Sequence, residues 1–217
     1  MANLGDILYG SIAPKATYEV LMQHDFITIS GNQDRQIVEA TPDELASNRT
    51  LQFIVNDLGN EPIVWMKSLA FDHQFSDDIY LCHGTPQSAL IYLLEDVSSG
   101  TPHLREDKSI TDLLAGQSSS LICCGHTHLP RTVTLTNGQT IVNPGSVGLQ
   151  AYTDEQPVMH SMQNYCHQAS YSVVEKTDNG WQVDNIKVPY DIAPAVTACE
   201  KRGRLDWAHF LQTGRAL

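Results

Sequence analysis

Basic residues are scarce in this chain. Thirteen Lys and Arg stand against 25 Asp and Glu, for a formal net charge of −12 at pH 7. So acidic a protein is a poor match for a polyanion, because nucleic-acid affinity comes from Lys and Arg displacing counterions along the phosphate backbone. Broad nucleic-acid binding is therefore not expected. No Lys or Arg at all occurs between Gly148 and Lys176. No apolar run approaches the roughly 20 residues that a membrane-crossing helix requires, and the opening Met-Ala-Asn-Leu-Gly-Asp does not resemble a secretory signal. No membrane partner is expected, and the expected location is the cytoplasm. Cysteine is also limited: there are five, an odd number, with no Cys-x-x-Cys pair. Cys82, Cys123 and Cys124 lie in apolar runs, which points to buried, reduced thiols rather than a disulfide framework. There is no internal repeat and no low-complexity tract.

What is present is organised around Ser120 to Gly148. Leu121 to Cys124 is a short apolar run that reads as a buried strand, and it delivers His126 and His128 at its end. Two imidazoles spaced two residues apart are natural ligands for a first-row metal, although His-x-His alone is a weak motif. Asn137-Gly138 sits between two β-branched runs, a strong hairpin signal, and it turns Asn143-Pro144-Gly145 back toward the histidines. Three other stretches share the pattern of a strand running into a metal-type side chain beside glycine. They are Leu4-Gly5-Asp6, then Phe26 to Ser30 followed by Gly31-Asn32-Gln33-Asp34-Arg35, then Ile79 to Cys82 followed by His83-Gly84. Open α/β sheets place their sites at such strand ends.

In this order, Gly-Asp, Gly-Asn-x-Asp, His-Gly and Gly-His-Thr-His resemble the calcineurin-like metallophosphoesterase superfamily, in particular its small bacterial and archaeal members. Asp6 to Gly10, His83 to Pro86, Asn143 to Gly148 and the ending from Tyr190 to Arg215 share in the likeness, which covers nearly the whole chain. The resemblance implies a single domain over 1–217 with the four-layer α/β/β/α sandwich of that superfamily. It implies a metal-dependent phosphoester hydrolase, phosphatase or phosphodiesterase, in which a metal-bound hydroxide attacks phosphorus in line. Its cofactors would be divalent transition metal ions, two in the family. Asp6 would bridge them, Asn32, His83 and His126 would complete one ion's ligands, and His128 would belong to the other. Asn32, Gln33 and His83 are the expected catalytic residues, with Asp34 and Arg35 expected behind the ligands or at the phosphate. Carboxylate, amide oxygen and imidazole together suit manganese, iron or zinc.

The chain also departs from that family. The Asp-x-His strand and first helix that open such proteins are not matched here, so the second ion site is expected to be reduced to Asp6 and His128. Gln33 stands where most relatives carry histidine, and glutamine cannot donate a proton as an acid. The alternatives to hydrolysis are a non-catalytic metal-binding or interaction remnant and an inactive fragment of a longer phosphoesterase. An apolar groove beside Asp6 and Phe26 to Ser30, either filled by a second copy of the chain or leaving the isolated chain unstable and prone to aggregate, is a further expectation. The expected substrate is a small phosphoester.

The remaining expectations are local. Helices are expected over Pro14–His24, from a Thr41/Glu44 cap through Leu58, over Pro62–Ala70, Leu90–Leu94 and Ile110–Ala115. Residues 151–167 read as a polar insertion loop, 170–188 as a hairpin about Asp178-Asn179-Gly180, and 191–217 as a helical tail. His24, His73, His103 and His209 read as solvent-facing, and Trp65, Trp181 and Trp207 as core. Tyr9 reads as packing beside the site. His160 and His167 are placed in the insertion, away from the site.

Overall fold

A computed structural model describes residues 1–217. In chain order the elements are β1 (Ala2–Asn3), α1 (Pro14–Leu21), β2 (Ile27–Thr28), α2 (Asn32–Val38), α3 (Pro42–Ser47), α4 (Arg49–Leu58), α5 (Asn60–Lys67), β3 (Asp72–Ser76) and β4 (Ile79–Cys82). There follow β5 (Glu95–Asp96), β6 (His103–Leu104), α6 (Asp107–Leu113), β7 (Leu121–Cys123), β8 (Arg131–Thr134), β9 (Thr140–Asn143), β10 (Ala151–Asp154), β11 (His160–Gln163), β12 (Ala169–Thr177), β13 (Gly180–Val188), α7 (Ala193–Lys201) and α8 (Leu205–Thr213). The fold is mixed α/β, as expected.

The centre is a five-stranded sheet in the order β3-β4-β7-β9-β8, with β4, β7 and β9 parallel and antiparallel strands at both edges. Strands β4, β7 and β9 are rich in Leu, Ile, Val and Cys because they are covered on both sides. Tyr80, Cys82, Ile122 and Ile141 pack with Ile110 and Leu114 from the α6 region to form one core. A second core joins Leu8 and Tyr18 to Ile37, Leu51, Ile54, Leu58 and Met66 of the helical region 32–67. A third places Trp207, Phe210 and Leu211 of α8 with Val196 and Cys199 of α7 against Leu149 and Ala151. Cys82 and Cys124 are buried and Cys123 half-buried, and all five cysteines are free.

Several elements differ from expectation, each for a visible reason. The Thr41/Glu44 cap forms: Glu44 N donates to Thr41 Oγ1 at 3.3 Å and Thr41 N to Glu44 Oε2 at 2.8 Å. The helix does not run through to Leu58, however. Asn48 leaves helical geometry and starts α4 by accepting from Leu51 N at 3.0 Å, the behaviour expected of an Asn cap. Gly59 then both ends α4 and begins α5, so α5 starts earlier than Pro62. Asn32 to Val38 is helical, where no helix was expected. Asp72 to Ser76 is a strand paired antiparallel to β4, so His73 is a half-buried strand residue and not loop. Leu90 to Leu94 is not helical; the chain curls over Gly84, where a Cβ would meet Ser88 O and Ile91 O at 2.6 Å. The 151–167 segment holds the antiparallel hairpin β10–β11, with Ala151, His160 and Met162 buried. Trp207 is buried, but Trp65 and Trp181 are only half-buried, and His209 is half-buried rather than solvent-facing. Beside Asp6, where a groove was expected, Phe26 to Thr28 are half-buried and Ile29 and Ser30 buried.

Candidate metal centre

Four backbone segments meet at the tips of β1, β2, β4 and β7. Gly31 and Gly5 are there because the segments touch backbone to backbone: a Cβ on Gly31 would lie 2.5 Å from Asp6 N, and one on Gly5 would lie 2.7 Å from Gly31 Cα. Gly5 also has φ 95°, a conformation open to glycine but strained for other residues. Asp6 (φ 56°), His126 (φ 68°) and His128 (φ 59°) are three of the five non-glycine residues with positive φ. Left-handed backbone of this kind gathers at functional sites, where surrounding structure holds it in place.

Asp34 supplies much of that hold. It sits in the first turn of α2 and is fully buried. Its Oδ2 accepts from Gly31 N at 2.8 Å and Asp6 N at 2.7 Å, and its Oδ1 from Ile7 N at 2.8 Å. One carboxylate therefore ties the Gly5-Asp6 loop to the start of α2. On the other side, Gly125 N donates to His83 O at 2.8 Å. Asn143 Nδ2 donates to Gly125 O at 2.7 Å and to Thr127 Oγ1 at 2.9 Å, pinning the turn that carries His126 and His128.

Within this frame, ligand atoms of Asp6, His83 and His126 lie within 4.8 Å of one another. His83 Nε2 is 3.2 Å from Asp6 Oδ2 and 3.0 Å from Asn32 Oδ1. His83 Nδ1 is 2.6 Å from Leu4 O. A carbonyl can only accept, so Nδ1 carries the hydrogen, and in the neutral ring Nε2 is a bare lone pair facing two oxygen lone pairs. Such a convergence must be filled by positive charge, either a proton on His83 or a cation. The donor set, carboxylate, amide oxygen and two imidazoles, fits a divalent transition metal. A backbone carbonyl behind a ligating imidazole is also the usual way to fix its tautomer.

Ionisation is consistent with that fit. Burial alone would raise Asp6, but the adjacent His83 imidazole outweighs it and holds the carboxylate down to about 2. Burial pulls His83 the other way, yet the Asp6 carboxylate prevails and its value is raised above the ordinary 6.5. Burial and then neighbouring His83 push His126 down to about 3, and burial lowers His128, so both imidazoles are neutral at pH 7. Burial and the charge on Asp6 raise Asp34 to about 6 against its three backbone donors.

The other expected residues divide. His128 stands outside the three-residue cluster, its Nδ1 bound to Leu149 O at 2.7 Å. Gln33 is half-buried, and its backbone N donates to Asp6 Oδ1 at 2.9 Å. Arg35 faces solvent and pairs with Glu39 at 3.5 Å. Two tyrosines and a histidine not expected at the site lie against it. Tyr92 packs its ring 4.5 Å from that of His126, Tyr152 donates to His126 O at 2.9 Å, and His160 Nε2 meets Tyr92 Oη at 2.9 Å. No sequence signal marks Tyr92. A buried histidine in a strand could have been suspected from the alternation His160-x-Met162, both buried in β11.

The calcineurin-like phosphoesterase superfamily domain matches residues 2–164. This chain belongs to that superfamily. A metallophosphoesterase from Sphaerobacter thermophilus shares its fold, with a TM-score of 0.73 at 20% identity over 98% of this chain and 87% of the other. A Vps29 variant from Entamoeba histolytica aligns at a TM-score of 0.41 and 14% identity, over 87% of this chain and 81% of the other. A predicted phosphoesterase from Streptococcus pneumoniae aligns at 0.40 and 13%, over 88% and 91%. No match is found among curated proteins.

Proposed function

We propose that this chain hydrolyses a small phosphoester at a metal centre held by Asp6, Asn32, His83 and His126. The observation that carries the reading is the convergence of Asp6 Oδ2 and Asn32 Oδ1 on Nε2 of His83, together with membership in the superfamily. A divalent manganese, iron or zinc ion bound there would supply Lewis acidity to a phosphoryl oxygen.

The chain's own residues set the character of the reaction. Asp6 and the neutral His126 present electron pairs without needing to lose a proton at pH 7, and Leu4 O keeps the His83 ring turned toward them. Gln33 can donate an amide hydrogen bond to a phosphoryl oxygen but cannot give a proton to a leaving group. Arg35, paired with Glu39, adds no cation at the cluster. The leaving group must therefore depart largely unassisted, which favours aryl over alkyl esters. A missing general acid costs about 10²–10⁴-fold.

The test is metal content by elemental mass spectrometry, alongside hydrolysis of an aryl and an alkyl phosphate. The expected result is bound transition metal, aryl turnover well above alkyl, and loss of both metal and activity in Asp6→Asn and His83→Ala. A metal-loaded protein inert toward aryl monoesters and diesters would leave the non-catalytic metal-binding alternative in its place. Fast alkyl phosphate hydrolysis would refute the unassisted departure.

A further inference from the structure

Against His126 runs a chain of hydrogen bonds that none of the ligand positions requires. We propose that Tyr152, Tyr92 and His160 are positioning residues that fix the peptide and the ring plane of His126. This inference rests on the reading of Asp6, His83 and His126 as the metal centre.

The direction of the hydrogen bonds follows from their last member. His160 Nδ1 lies 2.7 Å from Val158 O, so it carries a hydrogen, and in the neutral ring Nε2 can only accept. Tyr92 must then donate its hydroxyl to His160 Nε2, at 2.9 Å. That leaves the Tyr92 oxygen as an acceptor, 3.1 Å from the Tyr152 hydroxyl, whose single hydrogen has His126 O as its nearer acceptor at 2.9 Å and is at most shared with Tyr92. The protons of Tyr92 and His160 point toward Val158, that of Tyr152 serves His126 O, and neither phenol has a hydrogen free for a substrate.

Each bond restrains a different coordinate of His126. The Tyr152 hydroxyl holds the carbonyl of a residue at φ 68°, where the following peptide has no helical or strand partner to orient it. The Tyr92 ring, 4.5 Å away and inclined 36°, holds the imidazole plane, while His83 lies 4.9 Å away. His160 anchors Tyr92 against rotation. Tyr152 and His160 come from β10 and β11, so a hairpin with no ligand of its own sets the geometry of one. The same hairpin brings Tyr152 to within 5.0 Å of the His128 ring, edge to face.

The experiment compares wild type with Tyr152→Phe, Tyr92→Phe, His160→Leu and His160→Gln in the full chain. His160→Gln keeps an acceptor for Tyr92; His160→Leu does not. Two readouts are taken. One is the His126 imidazole carbon–proton signal in metal-free protein, assigned with His126→Gln. The other is manganese and zinc affinity by chelator competition. Tyr152→Phe and His160→Leu are expected to broaden or split the His126 signal and to weaken metal binding by about 10–100-fold, the usual effect of losing a partner behind a ligand. His160→Gln is expected to stay near wild type in both. If His160→Leu disrupts the hairpin, as circular dichroism would show, Tyr152→Phe, which deletes one oxygen, decides alone. An unchanged His126 signal in Tyr152→Phe overturns the relay. If wild type binds no metal, the reading of the centre fails, while the His126 signal still decides the relay.

Discussion

Two of the hairpins that follow the His126 turn, β10–β11 and β12–β13, are built differently. Strands β12 and β13 are nine residues each, pair only with one another, and carry Tyr171 and Val173 exposed on one face. They reach the central sheet through side chains: Trp181 Nε1 to Ser120 Oγ at 3.0 Å, Asn185 Nδ2 to Thr132 Oγ1 at 3.3 Å, and the Lys176–Asp78 ion pair. Strands β10 and β11 are four residues each, yet they bury Ala151, His160 and Met162 and back the candidate centre. The long hairpin announces itself by alternation and stands away from the ligands. The short one reads as polar loop and holds one of them. Over nine residues alternation is plain; over four it rests on a single pair of positions, His160 and Met162 in β11.

That contrast is most sharply tested by paired truncations. Met162→Ala is expected to destabilise the fold by about 2–5 kcal/mol, since Met162 is fully buried with Tyr92 and Val97. Val173→Ala, on the exposed face, should stay within about 0.5 kcal/mol. Urea denaturation of both variants checks this, and equal losses would erase the distinction between the hairpins.

Acid provides an intermediate effect. Raised above 6.5 by Asp6, His83 gives the metal-free fold stability that is fully present below pH 6.5 and is lost as pH rises through its raised value. A cation needs the opposite, neutral His83. Metal affinity is therefore expected to fall about tenfold per pH unit once pH drops below that raised value. His126, held down to about 3, adds nothing to the slope above pH 4. Titration by calorimetry between pH 5 and 8 gives the slope. It should be unchanged by Lys176→Ala in β12; dependence on that residue would tie the outer hairpin to the centre after all.

A modest effect is expected at Trp181. Trp181→Phe removes one hydrogen bond to Ser120 and should cost about 0.5–1.5 kcal/mol. Metal affinity should not move, and chelator competition would show whether it does.

Much of the centre was legible because its residues sit at strand tips beside glycine. Asp6, Asn32, His83 and His126 come from four separate segments, and each carries a short motif whose order is distinctive. The Thr41/Glu44 cap, the Asn137-Gly138 turn and the Gly214 stop could also be read locally, since each is a backbone conformation demanded by one or two residues. What could not be read is tertiary. Helix α2 begins on a glycine, and Asp34 reaches back from its first turn to cap Gly31 and at the same time bind Asp6 and Ile7, residues far away in sequence. Strand β3 has little apolar pattern; its place at the sheet edge is marked by Tyr80 Oη donating to Asp72 Oδ2 at 2.6 Å. Tyr92 lies in an irregular stretch held by Arg105 Nε on its carbonyl at 3.2 Å. His128 shares its motif and backbone conformation with His126, but its Nδ1 meets Leu149 O and its ring packs on Tyr152, whereas the His126 ring packs on His83 and Tyr92.

The Asp34 tie has a kinetic consequence. Three amides from two loops are satisfied by a carboxylate of the chain itself, so that end of the centre is ordered by protein groups alone. The slow step in loading then becomes the ion's own loss of water. Uptake should track the water-exchange rate of each metal rather than solvent viscosity. Its heat-capacity change should be small, unlike the large negative value that accompanies folding upon binding.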